Sequence, residues 1–337
     1  MRRRLGSLGL LVAFALAIFA VGCGGSDNDN TSSGTSSAST TGDNVNLTQG
    51  SGQTIAMVTH SDEGSFWSVV KKGAEAAAKA EGVKLIWSPA NNDPQKEAQL
   101  IDAAVSQKVD GLAVSVPNAD AIKDSLAKAK AAGIPIITLN SGVDDYKKLG
   151  AITHVGQTEE IAGKAAGVKL KAAGAKKVLC VIHEQNNIGL QQRCDGVKKG
   201  FGGPVTNQQV KGTADIATTQ TEIKSKLQAD KSFDGVITLN PDIAAAAKTA
   251  ISGASSNAKL ATFDLSPAVL KDISAGKVEF AVDQQQYLQG YLPIVFLKLF
   301  RQNANTVGGG QPVLTGPGFV DKTNVSTVQK LTDAGTR

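Results

Sequence analysis

The 337-residue chain is poor in cysteine, histidine, aromatic side chains and internal arginine. Three cysteines exclude a disulfide-dense scaffold and a zinc site built from four thiolates. Three scattered histidines form no metal-binding set, and no His-Glu-x-x-His is present. The Gly-x-Ser-x-Gly elbow, the Walker loop and Gly-x-Gly-x-x-Gly are also missing, which argues against hydrolase, nucleotide-hydrolysing and dinucleotide-dependent chemistry. No enzymatic activity and no cofactor are expected. The formal charge of +5 is concentrated at the start, where Arg2, Arg3 and Arg4 stand in a segment without acids. From Cys23 onward 32 basic residues face 30 acidic ones, so the chain has no electrostatic footprint for nucleic acid. Only Arg193, Arg301 and Arg337 remain as arginines beyond that start.

What is present begins with an address. Residues 1–22 carry the arginine triplet, an apolar run from Leu8 to Val21, and Gly22 before Cys23. That is the layout of a secretory signal, too short for a stable transmembrane span. Ala20-Val21-Gly22-Cys23 resembles the lipobox of bacterial lipoproteins, with Ala20 where Leu is preferred. The resemblance implies lipidation of Cys23 and a membrane anchor; ordinary cleavage leaving a free Cys23 is the alternative. Between Gly24 and Gln53, 25 of 30 residues are Ser, Thr, Gly, Asn or Asp. Such a composition buries almost nothing and suits a flexible tether.

From Thr54 the chain alternates short apolar runs with helical patterns. Ile55–Thr59 reads as a strand, and Phe66, Val69, Gly73, Ala77 and Ala80 make a helical stripe that ends before Gly82. Strands follow at Val83–Trp87, Gly111–Val116 and Ile134–Leu139, then near 150–155, 177–182, 205–210, 234–239, 258–263 and 278–283. This alternation predicts an α/β fold with parallel sheets covered on both faces. Residues 287–300 are strongly apolar, but Gln289, Pro293 and Lys298 favour a buried helix over a membrane segment.

An internal echo runs at a spacing of 124 residues. Asp110-Gly111, Pro117 and Leu139-Asn140 recur as Asp234-Gly235, Pro241 and Phe263-Asp264. Two similar lobes are expected, with Asn140, Asn240 and Asp264 at strand ends around one cleft.

The details resemble one family. Thr54-Ile-Ala-Met-Val-Thr-His60, then Phe66-Trp67, then Lys72-Gly-Ala-Glu-Ala-Ala-Ala-Lys79, is similar to the opening of type I periplasmic sugar-binding proteins of the ribose-binding group. Gln99-Leu-Ile-Asp-Ala-Ala-Val105, Gly133-Ile-Pro-Ile-Ile-Thr138, Thr262-Phe-Asp264 and Gly276-Lys277 agree, as does Asp283-Gln-Gln-Gln-Tyr-Leu-Gln-Gly290 with a subgroup also carrying His-x(5)-Phe-Trp. The resemblance covers about residues 54–320. It implies two Rossmann-like lobes joined by a three-strand hinge, with crossovers near His154–Gly156, Asp283–Gln285 and Pro312–Thr315. The segments are then a signal at 1–22, a lipidated Cys23 and linker at 23–53, an N-terminal lobe at 54–155 with 284–312, and a C-terminal lobe at 156–283 with 313–337. It further implies a monomeric solute receptor for the permease of an ABC importer; a receptor signalling through a membrane sensor, or one for a non-carbohydrate solute, is the alternative.

Carried over residue by residue, the family's ligand contacts fall on Phe66 and Trp67 as a sugar-facing aromatic pair, and on Arg193. They also fall on the polar groups Asn240, Asp264 and Gln284. This chain departs from the pattern where ribose-type proteins have Asp-Arg and it has Asn140-Ser141; His60 replaces a small hydroxyl residue, and Gly64 an Asn. A polyhydroxyl ligand needs flat aromatic surface plus oriented donors and acceptors, which these side chains supply. Core packing is the competing reading for Phe66, a solvated helix charge for Arg193, and a satisfied loop residue for His60. Trp67 falls off the helical stripe, which favours a binding role. His154 is expected in a crossover, and His183 is a weaker candidate. Arg193 and Asp264 are expected to offset one another, leaving a site for a small neutral sugar or polyol; a short polyol or an unusual pentose is favoured. For Cys180 and Cys194 a disulfide and two buried free thiols stand as alternatives.

Overall fold

The computed structural model describes residue 47 and residues 52–337. The signal, Cys23 and nearly all of the linker lie outside the described residues.

The first sheet is opened by β1 (Thr54–Thr59) and β2 (Lys84–Pro89), with α1 (Gly64–Glu81) between them. It continues through α2 (Pro94–Ser106), β3 (Gly111–Ser115), α3 (Ala119–Ala131), β4 (Ile136–Asn140) and β5 (Thr153–Gly156). The chain then crosses and builds a second set: α4 (Glu159–Ala172), β6 (Val178–Ile182), α5 (Ile188–Phe201), β7 (Val205–Gln209) and α6 (Ile216–Ala229). That set is completed by β8 (Gly235–Thr238), α7 (Pro241–Gly253), β9 (Lys259–Phe263), α8 (Pro267–Ser274) and β10 (Phe280–Asp283). It returns for α9 (Gln286–Asn303) and β11 (Val313–Leu314), and ends with β12 (Gly318–Asp321) and α10 (Val325–Asp333).

The strand orders are β11-β5-β4-β3-β1-β2 and β12-β10-β9-β8-β6-β7, so the sheets repeat position by position. All described pairings are parallel except β10 with β12. The 124-residue echo is the sequence trace of this repeat. Asp110 Oδ2 accepts from the first backbone N–H of β1 at 2.8 Å, and Asp234 Oδ1 accepts from Lys177 N, just before β6, at the same distance. Asn140 and Asp264 end the matching strands β4 and β9 with φ of 60° and 70°. Asn and Asp tolerate that left-handed conformation, which turns each side chain out of the strand.

Two segment boundaries shift. Gly156 and Val313-Leu314 belong to the first sheet, where β5 pairs with β4 and with β11, and not to the C-terminal lobe. Backbone pairing holds these residues to the strand they extend. His154 therefore sits inside β5 and not in a crossover; it is fully buried, and burial pushes its pKa down to about 3. Its Nδ1 meets Thr138 Oγ1 at 3.0 Å.

The helix α1 also differs from its expected stripe. Phe66, Trp67, Val70, Gly73, Ala74, Ala77 and Ala78 are buried, while Val69 and Ala80 are not. The apolar face is wide enough to include Trp67, because α1 is covered by both its sheet and α9. The two helices approach closely: a Cβ on Gly290 would lie 1.9 Å from Val70 O. In the second lobe α4 and α5 form the equivalent pair, with Gly163 against the Arg193 carbonyl. No helix among the described residues is long and apolar enough to cross a membrane.

A disulfide joins Cys180 in β6 to Cys194 in α5, fixing that helix to the sheet. Both residues are fully buried. Closing a loop of this length stabilises the fold by about 3 kcal/mol in the chain-entropy account.

Candidate functional site

The carboxyl ends of the two sheets face each other, the usual place for a ligand in open parallel sheets. Between them lies a small cavity. His60, Phe66, Trp67, Asn140, Arg193, Asn240, Asp264 and Gln284 all line it. The first four come from the first lobe, the next three from the second, and Gln284 from the crossover between β10 and α9.

Each side chain is placed by local structure. Phe66 and Trp67 sit in the first turn of α1 and meet edge to face at 5.2 Å. His60, just past β1, packs edge-on against Trp67 at 4.9 Å, and its Nδ1 lies 2.8 Å from Ser115 Oγ. Both aromatic residues are core and cavity wall together, at 5% and 4% exposure. Asn240 caps α7: its Oδ1 accepts from the backbone N–H of Asp242 at 2.8 Å, which leaves its amide N–H groups for the cavity. Gln284 donates to Asp264 Oδ1 at 2.6 Å and accepts from Gln289 Nε2 at 2.9 Å.

The charges pair differently from the sequence expectation. Arg193 is held by Glu159, not by Asp264: Nε donates to Oε2 at 2.6 Å and Nη2 to Oε1 at 3.0 Å, while Nη1 donates to the Leu239 carbonyl at 3.3 Å. Glu159 stands in the first turn of α4, directly after the crossover from β5, and a carboxylate there matches the guanidinium fork. The guanidinium also lies over the Phe263 ring at 4.7 Å. Burial works against its charge, but Glu159 and then Asp264 outweigh burial and raise its pKa. Asp264 lacks such a fork. Burial pushes its pKa up to about 7, against the opposing pull of Arg193 and Gln284.

The lobes touch across the cavity. Thr213 Oγ1 donates to Glu63 Oε2 at 2.9 Å, Ser65 N to Asp242 Oδ2 at 3.1 Å, and Ile188 N to the Pro117 carbonyl at 3.1 Å. His60 Nε2 lies 3.5 Å from Glu184 Oε2. These bonds describe a closed arrangement.

A periplasmic binding protein domain pattern matches residues 55–302. The chain belongs to the periplasmic binding protein family. A carbohydrate transporter from Acidothermus cellulolyticus, solved in complex with myo-inositol, is 45% identical with a TM-score of 0.83, over 85% of this chain and 99% of that one. A xylose/arabinose-binding protein of Sulfolobus acidocaldarius is 24% identical over 80% of this chain and 71% of its own length. A ribose import binding protein of Haemophilus influenzae is 25% identical over 72% and 83%.

Sequence reasoning missed several walls of this periplasmic binding protein's cavity. Glu63, Glu184, Asn187, Leu190, Thr213 and Leu239 also line it, as does the weakly weighed His183. The 124-residue spacing could have found one of them, since it maps His60 onto Glu184. Burial opposes the Glu184 charge, but His60, then His183 and the Asn187 amide, outweigh it and lower its pKa. Burial lowers the pKa of His183, against the pull of Glu184. The arrangement offers aromatic edges, one charged fork, three carboxyl groups and several amides. It suits the binding of a compact polyhydroxyl compound.

Proposed function

We propose that the chain is the solute receptor of an ABC importer and that it captures a neutral, ring-shaped polyol between its lobes, a cyclitol in preference to a pentose. The observation that carries this reading is the convergence of residues from both lobes and one crossover on a single cavity. Arg193 there is already charge-paired to Glu159. With that pair internally balanced, the charged groups left in the lining are the acidic Glu63, Glu184 and Asp264, so an anionic solute is disfavoured, and the remaining groups are hydrogen-bonding ones. The relative crystallised with myo-inositol supports a cyclitol over the short polyol or unusual pentose that Asn140-Ser141 suggested. The protein binds and releases its solute unchanged; it is not an enzyme, and it works as a monomer. Transport is preferred to signalling because the curated relative from Haemophilus influenzae is an import binding protein.

A thermal-shift screen against pentoses, hexoses, linear polyols and inositols tests the ligand class, because a solute that binds only the native state raises the melting temperature. The inositols should give the largest shift. A charged solute giving the only shift would contradict the reading.

The Gly22-Cys23 junction and the polar linker support export followed by lipid anchoring to the outer face of the cytoplasmic membrane, with the receptor held near its permease. Cys23→Ala should leave the precursor unprocessed or release the protein from the membrane fraction. Fractionation and migration identical to the parent would contradict the anchor.

A further inference from the structure

A second space of about 260 Å³ adjoins the ligand cavity and shares His60, Glu63, His183, Glu184, Asn187 and Thr213 with it. Its remaining wall is supplied by the β2–α2 loop, the start of α2 and Pro117 on one side, and by the segments after β6 and β7 on the other. The polyol reading gives this space no role.

Its most unusual member is Glu97. The side chain lies in the first turn of α2 at 1% exposure, and its Oε1 has no hydrogen-bond partner. Burial pushes its pKa well above the ordinary range. His183 lines the same space, and its Nδ1 is likewise buried and unpartnered. A buried polar group without a partner weakens a fold, so two of them in one cavity wall point to a ligand that completes them.

The chemistry of the wall selects that ligand. Asn91, Asn92, Gln185 and Asn186 offer amides that both donate and accept, as sugar hydroxyls require. Lys211 is the only lysine or arginine lining the space, against Glu63, Glu97 and Glu184, so a phosphate is disfavoured. Pro94, Pro117, Val210 and Ala214 add apolar surface against which the C–H face of a ring can pack. We infer that this space is a subsite for a second, uncharged polyhydroxyl ring, so that the protein accepts a glycosylated cyclitol with one ring in each cavity and Glu97 bonded to the outer ring. The inference rests on the polyol reading above. It extends that reading from a one-ring to a two-ring solute.

The test is calorimetric titration of the mature protein with myo-inositol and with galactosyl-myo-inositol, in the parent, Glu97→Gln and Glu97→Met. The parent should bind the two-ring compound at least tenfold more tightly than myo-inositol, the two compounds competing for one site per chain. Glu97→Met should erase that advantage and leave the myo-inositol Kd within twofold. Glu97→Gln, which keeps the shape, should melt at or above the parent temperature without ligand, because it removes an ionisable group from an unpartnered buried position. Three results would overturn the subsite: weaker or equal binding of the two-ring compound, equal losses for both compounds in Glu97→Met, or a lowered melting temperature in Glu97→Gln. Binding of myo-inositol alone removes the subsite and leaves the polyol reading standing. Failure of both compounds to bind removes the subsite together with its basis.

Discussion

Replacing Arg193 by Ala should weaken solute binding severely and destabilise the protein. The guanidinium is the cavity's charged donor, and it lies 4% exposed between Glu159 and the Leu239 carbonyl. Losing its bonds to the solute should cost at least ~2 kcal/mol of affinity, roughly thirtyfold. Removing it also strands Glu159, 1% exposed, as an uncompensated charge, a change that typically costs about 3–5 kcal/mol of stability. The two effects can be separated. In Arg193→Met combined with Glu159→Gln the buried charge disappears with its partner, so stability should return while binding stays weak. Recovery of binding in that double variant would show that the ion pair only supports the fold. Thermal melting and calorimetry on the three proteins decide it.

The second large effect concerns Asp264, whose carboxyl is pushed up to about 7 by burial. An unfolded Asp titrates near ~3.9. Between those values the native state holds a proton that the unfolded chain has lost. The native state therefore binds more protons, and stability must fall as pH rises through this window. Three pKa units correspond to on the order of 4 kcal/mol. Asp264→Asn removes this loss and can still accept from Gln284. It should melt several degrees above the parent at pH 8, with the advantage vanishing toward pH 4. Binding should respond in the opposite sense. Solute hydroxyls donate best to the ionised carboxylate, so parent affinity should rise as pH passes through about 7, with Arg193, Glu159 and Asp283 as the other charged groups acting on Asp264. Asp264→Asn should bind at least tenfold more weakly at pH 8 and show a flatter pH profile. A parent profile that is flat between pH 6 and 8, or an Asn variant melting below the parent at pH 8, would contradict the buried, raised carboxyl.

The features legible in the sequence were those written as local pattern. Asp93-Pro94 marks a helix start because the Asp carboxylate caps the helix and Pro suits its first turn, and Asp93 Oδ1 accepts from Gln95 N at 2.8 Å. The 124-residue spacing was legible because equivalent strands need equivalent turn residues at their ends, which is how Asn140 and Asp264 came to be named. The partner of Arg193 was not legible. Glu159 lies 34 positions away in a first helical turn, where an acidic residue is commonplace, and only the crossover from β5 brings it beneath α5. That Trp67 is buried as well as lining the cavity was not legible for a related reason. A helical stripe counts one buried face, whereas α1 is covered by its sheet and by α9, whose sequence follows more than 200 residues later. The loop walls of the cavity, such as Thr213 and Asn187, carry no periodic signal at all.

The central claim is that a neutral ring polyol is held between the two lobes by groups from both. Calorimetric titration of the mature protein with myo-inositol tests it most directly. The expected result is saturable binding at one site per chain, severely weakened in Arg193→Met with Glu159→Gln although that protein remains folded. Absence of binding to myo-inositol and to every other neutral polyol, or binding that the double variant retains in full, would contradict it.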